Sequence, residues 1–270
     1  SRGPTKRSLS ADLYALKKKS KATTRHFELD VFALDIRIVS TAKGKFFVKA
    51  RPVVQKFREV FRLLGFFSDT MAILYQPTIE ILRDNIYLSG YFQNEQYFKG
   101  YESVIRRDFS FTTELSDKNK AIGEQMRTEQ SICIHIRRGD YINDQRASSN
   151  FVTCDKAYYD KAIAIMRKKV QNPVFYIFSE DLEWVKDNLS FGDNAVHYID
   201  WNRGDDSYID MQLMSLCQHN IIANSSFSWW GAWLNSNPDK VVLAPSQWFR
   251  DEVKNNLLDD FYPEGWIKID

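Results

Sequence analysis

Two consecutive arginines, Arg137 and Arg138, come directly after the apolar run SICIHI at 131–136, and Asp140 follows them. A guanidinium keeps its charge and binds phosphate through a planar fork of N–H donors. Two such groups at the carboxyl end of a strand predict a clamp for a diphosphate. A surface ion-pair cluster with Asp140 is the structural alternative, and the local sequence leaves both open.

A second candidate anion site follows the apolar run NIIA, where the chain reads NSSF at 224–227. Small hydroxyl residues at this place predict the start of a helix, whose first turn presents backbone N–H groups without intrahelical acceptors. Together with the helix dipole these groups bind phosphate oxygens. The same residues would also serve as an ordinary helix N-cap.

Asp210 lies one turn inside the helix predicted for SYIDMQLMSLCQ, after the strand AVHYI at 195–199. There its carboxylate could accept hydrogen bonds from the donor edge of a purine. A solvated helix acid is the alternative. By contrast, we interpret Glu180 and Asp181, after the strand VFYIF, as structural acids, because carboxylates stabilise the first turn of a helix.

Signatures for other chemistry are absent from the sequence. There is no G-x-G-x-x-G, no G-x-x-x-x-G-K-[ST] and no G-x-S-x-G, which argues against dinucleotide, P-loop and α/β-hydrolase sites. No D-x-D is present to hold a divalent ion on a nucleotide sugar, and the histidines and cysteines form no ligand pattern. We therefore expect no metal, no cofactor and no disulfide framework.

The composition is that of an ordinary globular protein, with 44% apolar and 27% charged residues. The formal net charge of +2 provides no global field to recruit nucleic acid or an anionic membrane. Only the lysines between 17 and 21 leave nucleic-acid binding open. Because no long apolar run or signal-peptide core occurs, we expect a cytoplasmic protein, associated with the inner membrane at most peripherally.

From residue 130 onward, short β-branched or aromatic runs at 131–136, 174–178, 195–199, 220–223 and 240–244 alternate with stretches of helical spacing. This alternation predicts a parallel, doubly wound sheet, in which ligands bind outside the carboxyl ends of the strands. The first part of the chain predicts an amphipathic helix from Leu9 into the lysine run, a helix at 51–64 and a short strand within 86–98. We place a domain boundary between residues 128 and 129, after a linking helix.

Six segments of the chain carry a family resemblance. They read YLSGYFQNEQYF at 87–98, HIRRGDY at 135–141, FVTCDKAYYDKAI at 151–163, FYIFSEDLEWVKDNL at 175–189, DMQLMSLCQHNIIANSSFSWWGAWLN at 210–235 and FYPEGWIKI at 261–269. In this order and spacing they resemble the α-1,2-fucosyltransferase family, glycosyltransferase family 11, in its bacterial branch. The combination of H-x-R-R-x-D with a later N-S-S-F-S-W-W-G-A is specific to that family.

The resemblance implies a GT-B-like α/β fold of two Rossmann-like halves, with an acceptor-side domain at 1–128 and a GDP-fucose-binding domain at 129–270. It implies metal-independent, inverting transfer of fucose from GDP-fucose to the 2-hydroxyl of a galactose-terminated acceptor. Arg137 would hold the β-phosphate in the catalytic step, Asp210 would recognise guanine, and Asp140 is a candidate base. The implied donor-binding residues are His135, Arg137, Arg138, Asp210, Asn224, Ser225, Ser226 and Phe227.

The start of the chain departs from the family pattern. Members open with a first strand and a loop of the form G-G-L-G-N-Q-x-F, and no such loop precedes LYALKKK at 13–19. We therefore expect the first strand and the loop to be missing, whereas HFELDVFAL at 26–34 resembles the segment that follows them. A catalytically impaired homologue that binds a nucleotide sugar or a glycan is the alternative function.

Overall fold

Short strands of the first part of the chain pair in parallel. The pairs are β1 (Leu9–Asp12) with β2 (Ile36–Val39), and β3 (Phe66–Ser68) with β4 (Tyr87–Ser89). They are seen in a computed structural model that describes residues 9–12, 28–39, 66–68, 87–89, 94–139, 145–256, 258 and 260–270, with the single positions 53, 56, 57, 60, 63, 75 and 92. In this structure the chain divides into two units, Ser1–Thr113 and Glu114–Asp270.

Strand β1 corrects the amphipathic helix predicted from Leu9 onward. Leu9–Asp12 is extended because it pairs in register with the apolar strand Ile36–Val39, a partner that local spacing does not reveal. A strand therefore lies directly before LYALKKK, and the absence of the family's first strand and Gly-rich loop stays a prediction. The lysine run itself lies outside the described residues.

Other predictions for the first unit agree with the described positions. The four helical positions at 53, 56, 60 and 63 fall within the predicted helix 51–64. Strand β4 lies within the segment 86–98, and a 3₁₀ turn at Glu95–Tyr97 follows it, where that segment predicts the start of a helix.

The apolar runs of the second unit pair with one another in parallel. The strands Ser131–Ile136, His219–Ile221 and Val242–Pro245 are buried on both faces, as strands inside a parallel sheet require. Every predicted run becomes a strand with small shifts at its ends, and a further strand forms near the C-terminus. These strands are β5 (Ser131–Ile136), β6 (Val174–Ser179), β7 (Val196–Ile199), β8 (His219–Ile221), β9 (Val242–Pro245) and β10 (Ile267–Ile269).

The described strands of this sheet lie in the order β10-β9-β8-β5-β6-β7, and all neighbours are parallel. Numbered along the chain from β5, this is the order 3-2-1-4-5-6 of a doubly wound Rossmann sheet. The predicted fold class is confirmed: the protein is α/β with a parallel doubly wound sheet, consistent with a GT-B-like fold. The strand order reverses between β5 and β8, and we call this place the switch point.

Helices cover both faces of the sheet, since successive residues of a strand point to opposite sides. Ile132 and Ile134 share one buried cluster with Ala162, whereas Cys133 lies in the opposite cluster with Leu213. The helices whose bounds lie within the described residues are α1 (Glu102–Asp108) in the first unit and α2 (Asp117–Thr128), α3 (Gln145–Asn150), α4 (Lys156–Lys169), α5 (Leu182–Asn188), α6 (Tyr208–Leu216), α7 (Ser226–Leu234) and α8 (Glu252–Asn255) in the second.

Helix α2 belongs to the second unit, so the structure divides the chain after Thr113, whereas our sequence-based boundary follows residue 128. Met126 of α2 is fully buried in the same cluster as Leu213 and Met214 of α6. The polar composition of α2 suggests a linker, and only its packing on α6 shows where it belongs.

Candidate functional site

The carboxyl ends of β6, β5 and β8 lie side by side, because these strands are neighbours in the sheet. Charged and hydroxyl residues follow each of them, at 137–138, 180–181 and 224–227. The structure therefore brings the two arginines and the NSSF segment to the switch point. In open α/β sheets the crevice outside these strand ends is where ligands bind.

Arg137 lies at the end of β5 and forms an ion pair between its Nη1 and Oε1 of Glu180. The Glu180 side chain is 53% exposed, so solvent screens this pair and it contributes little to stability. The carboxylate lies close to the backbone of Gly139, where a Cβ would collide with it. An incoming anion could therefore displace the Glu180 carboxylate and pair with the Arg137 guanidinium in its place.

Arg138 has different surroundings, although it is the next residue. Its Nε donates to Oδ2 of Asp181 at 3.2 Å, and its guanidinium lies 4.0 Å from the ring centroid of Trp184. Asp181 also caps α5, where it accepts the backbone N–H of Trp184 at 3.1 Å. These contacts join β5 to α5, and a direct contact of Arg138 with a ligand stays a prediction.

His135 is 6% exposed and neighbours both the arginines and helix α7. Burial, followed by the charge of Arg137, lowers the pKa of His135 to about 3, so the imidazole is neutral at neutral pH. Its ring centroid lies 5.7 Å from that of Phe227, and its Nδ1 has no hydrogen-bond partner among the described residues. A neutral ring nitrogen of this kind can donate to or accept from a ligand.

Helix α7 begins at the predicted place. Ser225 is its N-cap residue, yet the Ser225 side chain makes no capping hydrogen bond to the first turn. The N–H groups of residues 226–228 have no intrahelical acceptor, as in any first turn. With Ser226 exposed, the start of α7 has the features that an anion site requires.

Asn224 is fully buried, and its side chain is engaged by the protein. Its Nδ2 donates to the carbonyl oxygens of Val152 and Trp248, the second at 3.0 Å. Its Oδ1 accepts from Sγ of Cys154 at 3.6 Å. Asn224 therefore ties two loops to the end of β8, and a contact of its side chain with a ligand stays a prediction.

Asp210 lies half-buried in the first turn of α6. Its Oδ1 accepts from Nδ2 of Asn202 at 2.8 Å. Burial raises the pKa of Asp210 to about 7, against the smaller opposing effects of the Asn202 hydrogen bond and the Arg203 charge. A carboxylate that titrates near neutral pH is typical of functional sites and not of a solvated helix surface.

Asp140, the candidate base, lies outside the described residues. Two site contacts were missed by sequence reasoning. The pairing of Arg137 with Glu180 had a signal, since two arginines and two acids follow neighbouring strands of the predicted sheet. The bond from Asn202 to Asp210 had none, because one asparagine in a loop is not a pattern.

The described part of the chain contains no group of three His, Cys, Asp or Glu side chains arranged to hold a metal ion. Within the same residues, each helix is too short or too polar to cross a membrane. Cys133, Cys154 and Cys217 are buried free thiols.

Several known proteins are similar to this chain. An alpha-1,2-colitosyltransferase of Escherichia coli is 34% identical over 192 residues, which cover 70% of this chain and 64% of that protein. The O-antigen biosynthesis glycosyltransferase WbnK of Escherichia coli is 31% identical over 278 residues, covering 96% and 89%. The galactoside alpha-(1,2)-fucosyltransferase 1 of Homo sapiens is 28% identical over 193 residues, covering 67% and 52%.

The chain thus spans less than two thirds of the length of the first and the last of these relatives. A family model for glycosyl transferase family 11 matches residues 49–270. The matched range includes the whole parallel sheet and every candidate residue described above. The chain therefore belongs to glycosyl transferase family 11.

Proposed function

We propose that this chain transfers fucose from GDP-fucose to the 2-hydroxyl of a terminal β-galactoside, with inversion at the anomeric carbon. One structural observation carries the proposal: the Arg137 guanidinium, the neutral His135 ring and the start of α7 come together at the switch point. This set of donors suits a diphosphate. Asp210 adds a carboxylate that suits the donor edge of guanine.

The names of the relatives support the linkage. The colitosyltransferase and the human fucosyltransferase are both named for a 1,2 transfer, and the human protein for a galactoside. A shared linkage favours the same acceptor hydroxyl here. The two names differ in the sugar moved, so fucose and colitose are the donors that an experiment must compare.

In the proposed reaction, the acceptor oxygen attacks the anomeric carbon while the bond to the GDP β-phosphate breaks. Negative charge collects on the leaving diphosphate, and preorganised donors stabilise this state more than the ground state. Arg137 and the first-turn N–H groups of α7 would supply these donors without a metal. Glu180 must first leave the Arg137 guanidinium, and the exposure of their ion pair keeps the free-energy cost of this exchange small.

Asp140 is our candidate for the base that accepts the proton of the acceptor hydroxyl. It follows Arg137 by three positions in the H-x-R-R-x-D motif. His135 suits this role less well, because a pKa of about 3 makes its ring a very weak base.

Turnover of GDP-fucose with lactose by the purified chain tests the proposal. We expect release of GDP together with a product whose new α-1,2 linkage is identified by NMR, with GDP-colitose assayed in parallel. Binding of GDP in calorimetry without turnover of either donor would favour the alternative, a nucleotide-sugar or glycan-binding homologue. Failure to bind GDP, or equal binding of single-stranded oligonucleotides, would contradict the assignment of the site.

A further inference from the structure

A chain of hydrogen bonds through two buried asparagines ends on Asp210. Trp201 Nε1 donates to Oδ1 of Asn119 at 2.8 Å, and Asn119 Nδ2 donates to Oδ1 of Asn202 at 2.8 Å. Asn202 Nδ2 then donates to Oδ1 of Asp210, again at 2.8 Å. Asn119 and Asn202 are 3% and 8% exposed, so water competes little for these bonds. The chain links α2, the loop after β7 and α6.

The indole of Trp201 gives this chain of bonds a direction. An indole N–H can only donate, so the Asn119 atom that it meets must be the carbonyl oxygen. The Asn119 amide then turns its N–H groups toward Asn202, which must present its own carbonyl oxygen in return. Consequently the Asn202 N–H faces Asp210. A donor at this position favours the ionised form of the carboxyl group.

Among the residues that the structure describes, few charged groups act on Asp210 from the surrounding elements. Arg203, in the loop before α6, lowers the pKa of Asp210. Cys133 faces it from β5, but burial raises the pKa of this thiol well above its usual range, so the thiol is neutral. Lys118 of α2 lies 3.5 Å from the ring centroid of Trp201. Helix α7, which packs against α6, has no ionisable side chain.

We propose that Asn202, held in orientation by Asn119 and Trp201, is a positioning residue that keeps the Asp210 carboxylate ionised for guanine. This inference rests on the proposed function, because it assigns Asp210 to the base of the donor. A carboxylate can accept from both N–H groups on the edge of guanine, whereas a protonated carboxyl group offers one acceptor fewer. The preference for GDP over UDP therefore follows the ionisation of Asp210.

The test is the ratio of GDP to UDP affinity, measured by calorimetry across neutral pH. This ratio cancels the titration of the phosphates, which both nucleotides share. In the wild type we expect it to rise with a midpoint near the pKa of Asp210. In Asn202→Leu the midpoint should move up by about one pH unit, so that GDP affinity falls about fivefold near neutral pH and recovers in mild alkali.

Two further variants accompany this test. Trp201→Phe keeps an aromatic ring beside Lys118 but removes the N–H that fixes the orientation of Asn119. We therefore expect a smaller upward shift of the midpoint in this variant. It keeps the inference testable if Asn202→Leu does not fold. Asn235→Ser is the matched control. Asn235 is a buried amide that donates to Oδ1 of Asn220 at 2.8 Å elsewhere in the same unit. Its loss should lower the melting temperature and leave the midpoint unchanged.

An equal loss of GDP affinity at every pH in Asn202→Leu, with an unmoved midpoint, would overturn the inference, because the asparagine would then be only structural. If Asp210→Asn removes the pH dependence while Asn202→Leu and Trp201→Phe keep it unchanged, Asp210 still binds the base and only the positioning role fails. If the wild type shows no preference for GDP and Asp210→Asn changes nothing, the proposed function of the site fails as well.

Discussion

The proposed donor site has two ends that are built from different interactions. The phosphate end consists of Arg137, Glu180 and the start of α7, where an exposed carboxylate neutralises the guanidinium. The base end consists of Asp210 and Asn202 with the residues behind them, where a carboxylate meets a buried amide and its pKa rises to about 7. One end is an ion pair that solvent screens, and the other is a half-buried carboxyl group whose pKa lies near neutral pH.

This difference indicates which property of the proposed reaction each end of the site can control. An exposed ion pair exchanges one anion for another with little loss of free energy, so the phosphate end can bind and release charge as the reaction proceeds. A buried hydrogen-bonding group is left unpaired by a ligand that does not match it. We therefore expect the phosphate end to govern rate and the base end to govern the choice of nucleotide.

The largest effect is expected for Arg137. Arg137→Ala should lower kcat on the order of 10²–10³-fold, or roughly 2.7–4 kcal/mol, by analogy with the loss of one oxyanion donor. Arg137→Lys should be nearly as impaired, because an ammonium does not reproduce the two-pronged contact of a guanidinium. Steady-state kinetics at saturating GDP-fucose measure both.

Arg138 is the control for this prediction. Arg138→Lys should retain more activity, while Arg138→Ala loses the contacts with Asp181 and Trp184. The melting temperature of Arg138→Ala should fall by roughly 2–4 °C, the shift expected for about 1 kcal/mol in a chain of this size. Near wild-type turnover in Arg137→Lys together with an inactive Arg138→Lys would show that Arg138, and not Arg137, contacts the β-phosphate.

At the base end, Asp210→Asn should weaken GDP binding by about 10- to 100-fold, because a hydrogen bond to a charged group is lost. UDP binding should fall much less, since uracil lacks the purine donor edge. Calorimetric titration of both nucleotides measures the difference. Equal losses for GDP and UDP would make Asp210 a structural residue and remove the distinction between the two ends.

The pH dependence should separate the ends further. Asp210 must ionise to bind guanine, so the GDP-to-UDP affinity ratio should rise about tenfold between about pH 6 and about pH 8.

The free energy of unfolding should respond to pH in the opposite sense. The folded pKa of about 7 lies above the usual value of 3.8, so the contribution of Asp210 to the free energy of unfolding is greatest in acid and is lost as pH rises toward 7. Melting temperatures of the wild type and Asp210→Asn, measured from about pH 4 to about pH 7, test the sign of this pH dependence. The same dependence of melting temperature on pH in both proteins would refute it.

A smaller effect is expected for Glu180→Gln. This change removes the carboxylate that competes for Arg137, so GDP should bind about two- to fivefold more tightly, within the range of an exposed ion pair. Glu183→Gln removes the same charge from an exposed position on α5 and serves as the control. Identical effects of the two variants on GDP affinity would mean that the loss of any nearby negative charge strengthens binding, and that the ion pair between Glu180 and Arg137 has no special role.

The smallest effect is expected for metal removal. GDP binding and turnover should be the same with and without EDTA, since no D-x-D or histidine cluster is present in the sequence to hold a bridging ion. A strict requirement for Mg²⁺ or Mn²⁺ would show that Arg137 and α7 do not complete the phosphate end.

Local sequence patterns determined which residues stand at the strand ends. The run at 131–136 is continuously apolar and becomes a fully buried strand, so Arg137 had to follow its carboxyl end. The start of α7 was predictable in the same way, because Ser225 favours the N-cap position. The prediction failed at Leu9–Asp12, whose extended conformation depends on a distant partner strand.

The tertiary structure decided which groups these residues meet. Glu180 lies 43 positions from Arg137, and Asn202 lies 83 positions from Asn119, so both contacts depend on strand order and helix packing. The tertiary structure also decided the pKa of Asp210, because burial raises this pKa and no neighbour in the sequence does so. Hydrophobic period, capping and turn preference are local properties of a chain and can be read along it. Desolvation and hydrogen-bond direction belong to surroundings that exist only once distant segments have packed together.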